Sequence, residues 1–209
     1  TSKKPPQNGP LKEGLDVIIR ETVRCKSIIQ ELLEFSRDRE PQKDMTNPNT
    51  ILEKALKILG NEFRLHHIQI EKHLSDEMRE TLLDENQIEQ VFVNLLLNAV
   101  QAIQEKGAIT IASRMDQGRE KALIEIADTG SGIPVENIPK IFEPFFSTKP
   151  KGTGLGLAVS YAIVKNHQGD INAFSNPGEG TRFGLEFPIL SQAVQSQKSP
   201  PGQKQNIRT

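Results

Sequence analysis

The stretch from Asp128 to Leu157, DTGSGIPVENIPKIFEPFFSTKPKGTGLGL, limits what this chain can fold into more than any other part of it. It holds five glycines, four prolines and three phenylalanines. An apolar run, ALIEIA, precedes it and reads as a strand, while AVSYAIVKN follows it and reads as a helix. A strand, a glycine turn, a long loop and a glycine-rich helix start describe a nucleotide site with a movable cover. Gly152, Gly154 and Gly156 lead into that helix.

The flanking sequence supplies the scaffold. Asn47-Pro48 pairs an N-cap with proline at the first helical position, so a helix is expected from there to about Asn61. Alternation at Ile68, Ile70, Lys72 and Leu74 predicts a strand. Asp84 and Gln87 have the spacing of an N-cap and its reciprocal partner, opening a helix to about Glu105. Residues 109–115 and 121–127 read as a hairpin, and residues 170–175 and 182–188 as two further strands. The elements do not alternate regularly. The expected fold class is α+β, a two-layer sandwich of a mixed, largely antiparallel sheet with helices on one face.

On the helix opened by Asp84, residues Ile88, Val91, Phe92, Leu95, Leu96, Ala99 and Ile103 form an apolar arc. Asn94, Asn98 and Gln101 fall on a stripe beside it. Asparagine is a mediocre helix former, so these residues read either as half-exposed polar positions or as amides facing a cavity. An amide oxygen is a hard, neutral ligand suited to Mg²⁺.

Upstream, Leu15, Ile18, Thr22, Cys25, Ile29 and Leu32 make a heptad seam, widened by Ile19, Ile28, Leu33 and Phe35. A long helix from Leu11 to about Arg39, within a bundle, is expected. Residues 1–40 are read as one part of a helical region, 41–190 as a globular domain and 191–209 as a disordered tail rich in Gln, Ser and Pro. Lys+Arg is 26 against Asp+Glu 27, a balance that gives no global drive toward nucleic acid or anionic membrane. No apolar run approaches a bilayer span and no secretory signal is visible. The single cysteine suits the reducing cytosol.

The large nucleotide-binding motifs do not fit. A P-loop needs Gly-Lys-Ser/Thr, which is absent, and Gly152, Gly154 and Gly156 follow a loop where a Rossmann fingerprint would follow a strand. Instead, Asn94-Leu-Leu-Leu-Asn98-Ala, Asp128-Thr-Gly-Ser-Gly132, Phe142-Glu-Pro-Phe-Phe146 and Gly152-Thr-Gly-Leu-Gly-Leu157 occur in that order. Together they resemble the N, G1, F and G2 boxes of the sensor histidine kinase catalytic domain, of the ATPase superfamily shared with gyrase, Hsp90 and MutL. Gly178-Glu-Gly180-Thr181 is similar to its last glycine box. The N-terminal helix resembles the second helix of the family's dimerisation bundle.

The resemblance implies an ATP and Mg²⁺ site. Asp128 would accept from the adenine amino group, with Gly130, Gly132, Ile133 and Thr181 around the base. Asn94 would ligate Mg²⁺, and Asn98 would assist at the metal or phosphates. Residues 142–153 would be a lid, with Phe142 as a latch and Lys149 reaching phosphate. Gly152, Thr153, Gly154, Leu155, Gly156 and Leu157 would line the phosphate end. Gln101 stands where many relatives carry a basic residue. The γ-phosphoryl would pass to a histidine on a bundle helix and then to a response regulator.

The four histidines, His66, His67, His73 and His167, are not followed by an acidic residue and lie outside the N-terminal helix. The acceptor helix is therefore expected outside these 209 residues, and autophosphorylation by this chain alone is not expected. The full protein would be a homodimer in the cytoplasm, anchored to a membrane through upstream segments if at all. The competing readings are a nucleotide-binding regulatory module without transfer, and an ATPase clamp, for which a glutamate would be expected at Asn94.

Overall fold

The computed structural model describes residues 41–118, 120–149 and 152–189, together with 14, 15, 17–19 and 22. The expected helix over 11–39 and the expected tail fall largely outside these. Of the N-terminal segment, Gly14, Leu15, Val17, Ile18, Ile19 and Thr22 are helical and exposed.

The globular part starts with β1 (Asp44–Thr46) and α1 (Pro48–Ile58). Asn47 caps α1 by accepting from the Asn49 amide at 2.9 Å, and Ile51, Leu52, Ala55 and Leu56 go into the core. The helix does not continue to Asn61. It breaks at Leu59, and α2 (Gly60–Leu65) follows with Phe63 buried. His67, at φ 50°, then turns the chain into β2 (Ile68–Leu74).

After β3 (Thr81–Leu83), Asp84 caps α3 (Glu85–Ala102) through the Gln87 amide at 3.1 Å. The reciprocal arm of that cap is not made. Gln87 Oε1 is buried without a partner, and the Asp84 amide donates to His167 Nε2. The helix ends three residues short of Glu105, at Ala102, because Ile103 turns extended and into the core. Gly107 opens β4 (Gly107–Met115) directly, followed by β5 (Lys121–Asp128). A 3-10 turn at Ile138–Lys140, α4 (Gly156–Asn166), β6 (Asp170–Asn176) and β7 (Gly180–Pro188) complete the described elements.

The main sheet has the order β2-β4-β5-β7-β6, antiparallel except for the parallel pair β2–β4. The pair β1–β3 forms a separate two-stranded sheet that alternation had not indicated. The inward-facing residues of β4, β5 and β7, such as Ile111, Ile124 and Phe187, meet Phe92, Leu95 and Leu96 of α3 in one core. This is the expected α+β sandwich. Phe92 and Phe187 are wholly buried, and truncating such a ring costs about 3–5 kcal/mol.

Helices α3 and α4 lie side by side and antiparallel. Asp84, at the start of α3, meets His167, at the end of α4. Near the other end of the pair, the Asn94 side chain donates to Ser160 Oγ at 2.9 Å. A Cβ on Gly156 would fall against Asn94 Oδ1, so glycine is what lets the two helices approach there.

Candidate nucleotide site

A cleft of about 880 Å³ opens between α3, α4 and the loop joining β5 to α4. That is the size range of small-molecule sites. At one end stands Asp128, the last residue of β5 and 8% exposed. Its Oδ1 accepts from the amides of Gly130 at 2.8 Å and Thr181 at 3.3 Å. With Oδ1 so engaged, Oδ2 remains as an acceptor for a donor entering the cleft. Burial pushes the Asp128 carboxyl above its ordinary value, against the pull of those two amides and of Lys149.

Backbone bonds fasten this end. The Ser131 amide donates to Ala102 O at the end of α3, and the Gly178 amide donates to Ser131 O. Ser175 Oγ accepts from the Ile133 amide at 2.8 Å and donates to Gly180 O at 2.7 Å, tying the loop to β6 and β7. Gly180, at φ 86°, runs so close to β5 that a Cβ there would overlap Asp128 O.

The other end is made by the first turn of α4 and the lid. No side chain caps α4 and its first turn carries no acid, so its amides and the positive end of its dipole are open to an anion. Gly156 and Leu157 line the cleft here, as do Gly152, Thr153 and Gly154. Lys149 reaches across from the lid and donates to Gln101 Oε1 at 2.7 Å and Asn98 Oδ1 at 3.0 Å. The residue as a whole is exposed, yet its ammonium sits within the cleft lining. Desolvation there lowers the lysine's pKa, and the attraction of Asp128 opposes the shift. A lid lysine thus brings positive charge to Gln101, where the resemblance led one to look for a basic residue on the helix.

Of the residues singled out from sequence, Asn94, Asn98, Gln101, Asp128, Gly132, Ile133, Lys149 and Thr181 all line this one cleft. Three do not. Gly130 serves as an amide donor to Asp128 and abuts Ala102. Leu155 is buried at 1% exposure, pointing into the protein. Phe142 stacks on Tyr161 of α4 with ring centroids 5.4 Å apart, so it pins the start of the lid to the outside of the helix. Phe146, four residues further on, is the lid aromatic that lines the cleft. Phe145, at φ 66°, is 68% exposed and donates its amide to Gly154 O.

Sequence reading missed Ser160 and Ser175, whose hydroxyls bridge elements far apart in the chain. No local pattern marks either. His66, His67 and His73 are exposed and none lines the cleft. His167 is buried and structural. Its Nδ1 donates to Ile163 O at 2.7 Å while Nε2 accepts from the Asp84 amide at 3.0 Å, which fixes the neutral form. Among the described residues no helix is long and apolar enough to cross a membrane.

Comparison with known proteins agrees with this geometry. Residues 83–191 match the family described as histidine kinase-, DNA gyrase B-, and HSP90-like ATPase. The signal transduction histidine-protein kinase AtoS of Escherichia coli K12 is 39% identical over 185 residues, which are 88% of this chain but 30% of AtoS. The chain therefore spans under a third of that relative. The nucleotide-free catalytic domain of histidine kinase ThkA superposes with a TM-score of 0.63 at 32% identity, over 70% of this chain and 95% of that domain. ThkA solved in complex with the response regulator TrrA gives a TM-score of 0.73 at 29% identity, over 90% of this chain and 53% of that one. The chain belongs to the histidine kinase-, DNA gyrase B- and HSP90-like ATPase family, and its globular part is an ATP-binding catalytic domain of the sensor histidine kinase type.

Proposed function

We propose that this chain is the part of a sensor histidine kinase that binds Mg-ATP and delivers its γ-phosphoryl group to a histidine on a bundle helix of the same protein. The observation that carries this reading is the pairing, in one cleft, of a buried carboxylate with a spare oxygen and an uncapped helix start flanked by a lysine. The first suits an amino group on a purine, and the second suits a chain of phosphates.

Asp128 Oδ2 would accept from the adenine amino group. The α4 amides and Lys149 would hold the phosphates, with Lys149 leaving Asn98 and Gln101 to do so. The donor set also fits a hard cation. Asn98 Oδ1 and Gln101 Oε1 already share a cationic ammonium, and Asn94, whose Nδ2 is spent on Ser160, keeps an amide oxygen toward α4. Asn94 and Asn98 would hold Mg²⁺, which when bound would neutralise charge on the phosphates. In the transfer, the bond from Pγ to the β,γ-bridging oxygen breaks and a P–N bond forms to the acceptor imidazole. ADP leaves, and the imidazole proton passes to a base beside the acceptor. The residues of this chain contribute position and charge, as phosphoryl transfer requires.

The complex of ThkA with its regulator supports a response regulator as the next acceptor, and the heptad seam of residues 15–32 supports pairing of two chains through the bundle. Together with the single cysteine, this favours a cytoplasmic setting.

Calorimetric titration of Mg-ATP into this chain and into Asp128→Asn tests the reading. The asparagine keeps Oδ1 for Gly130 and Thr181 but turns a second donor toward adenine. Affinity should fall by about 100-fold or more, from a lost charge-assisted bond plus two opposed donors. The melting temperature should hold or rise, because no carboxylate is then buried. Equal binding by both chains would sink the assignment of the base end.

A further inference from the structure

The segment that enters the domain, residues 42–46, grips both helices of the cleft at their far ends. The Gln42 amide donates to Asp84 Oδ2 at 2.8 Å, at the cap of α3. The Lys43 ammonium donates to Asn166 O at 2.6 Å, at the last carbonyl of α4, where the helix dipole also favours a cation. Residues 44–46 then pair as β1 with Thr81–Leu83, the strand that runs straight into Asp84. Between the two grips, the Asp84 amide is bonded to His167 Nε2 and His167 Nδ1 to Ile163 O, so α3 and α4 are already fastened to one another at this point.

Asp84 thereby uses three polar atoms on three different elements: Oδ1 on the start of α3, Oδ2 on the entering segment, and its amide on the end of α4. Asn94 lies ten residues along α3 from this cluster, about 15 Å away at 1.5 Å per residue. The helices are antiparallel and joined again at Asn94–Ser160. A change in the angle between them at the clasp would alter the close approach of Gly156 to Asn94 at the phosphate end.

We propose that Gln42 and Lys43, with Asp84 and His167, form a positioning clasp that couples the segment entering the domain to nucleotide affinity. Displacing residues 42–46 loosens α3 against α4 and weakens nucleotide binding. By linkage, bound nucleotide tightens the hold on residues 42–46 to the same extent. This inference rests on the nucleotide reading of the cleft. None of the four residues lines it.

The test uses two variants of the 209-residue chain, with ADP and Mg²⁺ as the probe. Asp84→Asn keeps a good N-cap, since asparagine serves as well as aspartate there, but can turn its amide nitrogen toward the Gln42 N–H and so break that grip alone. Lys43→Met removes the ammonium from Asn166 O at a solvent-accessible position, so it does not threaten folding. In each, the dissociation constant for ADP measured by calorimetry should rise by about 3- to 10-fold, in the range of couplings carried through packed elements. Hydrogen exchange supplies a readout that a purely structural contact would not move. In the parent, ADP should slow exchange at the Gln42 amide, and in Asp84→Asn it should not. Parental affinity in both variants, with no effect of ADP on the Gln42 amide, overturns the coupling and leaves the cleft reading intact. A parent chain that binds no ADP overturns the cleft reading, and the coupling with it.

Discussion

Asp128 is held at one end of the cleft by two backbone amides, and the loop beside it is bonded to the end of α3, to β6 and to the β6–β7 turn. Lys149, at the other end, is held by two side-chain amides of α3, and the loop that carries it packs on the domain through side chains, among them Phe142 on Tyr161 and Phe146 against the core. The base end is therefore continuous with the sheet and cannot change without unfolding part of it. The phosphate end is closed by contacts that each cost little to exchange for a ligand. A nucleotide meets a finished socket for its base and a rearranging cover for its phosphates.

Two glycines offer a way to break that contrast. In both Gly180 and Gly154 the backbone is left-handed, at φ 86° and 72°, and a Cβ would overlap backbone: Asp128 O at Gly180, and the Phe145–Phe146 peptide at Gly154. The left-handed conformation alone costs an alanine roughly 1–2 kcal/mol. At Gly180 the overlap also forces β5 from β7, so Gly180→Ala should lose more than about 3 kcal/mol in urea unfolding. At Gly154 the lid can move away. Gly154→Ala should lose only the roughly 1–2 kcal/mol of its left-handed backbone while ATP affinity drops at least about 10-fold. Equal destabilisation by the two would mean the lid is as much a part of the fold as the sheet.

The same contrast explains what could be read in advance. The base end is written in short patterns. Asp128-Thr-Gly-Ser-Gly132 holds the carboxylate, the Gly130 amide that supports it and the loop that follows, all within five residues. The stripe of Asn94, Asn98 and Gln101 is helical arithmetic. What stayed hidden is long-range. Alternation over Ile68–Leu74 indicated a strand but not that it pairs parallel to β4. The strands β1 and β3 have three residues each, too few for any period. The cap at Asp84 was legible, but its failed reciprocal arm was not, because the competing acceptor is His167, 83 residues away. In the lid, glycine and phenylalanine indicated a mobile cover. Composition could not say that Phe142 and Leu155 face away from the cleft while Phe146 faces in.

Replacing Lys149 with methionine sharpens the comparison from the other side. Its two partners are exposed enough to be rehydrated, so the empty domain should melt within about half a kcal/mol of the parent. Binding should separate by phosphate number. Adenosine affinity should be unchanged, and ATP affinity should fall by about 10-fold, the loss of one charge-assisted hydrogen bond. A parallel fall for adenosine would place Lys149 in the base socket instead.

The smallest expected effect concerns the far end of the helix pair, where His167 is buried as a neutral ring. Desolvation holds its pKa below the ordinary histidine value of 6.5, with Lys43 pushing the same way, and with the Ile163 carbonyl and Asp84 opposing. The unfolded chain therefore binds the proton more readily than the folded one. The stability this ring contributes is fully present above pH 6.5 and is lost as pH falls through the folded value. Protonation would also set Nε2–H against the Asp84 amide, two donors facing each other. Asp128 carries the opposite sign: its pKa is raised, so the stability it contributes is present below its ordinary 3.8 and lost as pH rises through the folded value. Melting curves are best taken in Asp128→Asn, where that group is silent. Between pH 7.5 and 5 the melting temperature should fall, by roughly 2–4 °C for each kcal/mol lost. With His167→Gln added, whose amide oxygen can take over from Nε2, the curve should flatten over that range. A fall of the same size with glutamine in place would assign the acid sensitivity to another group.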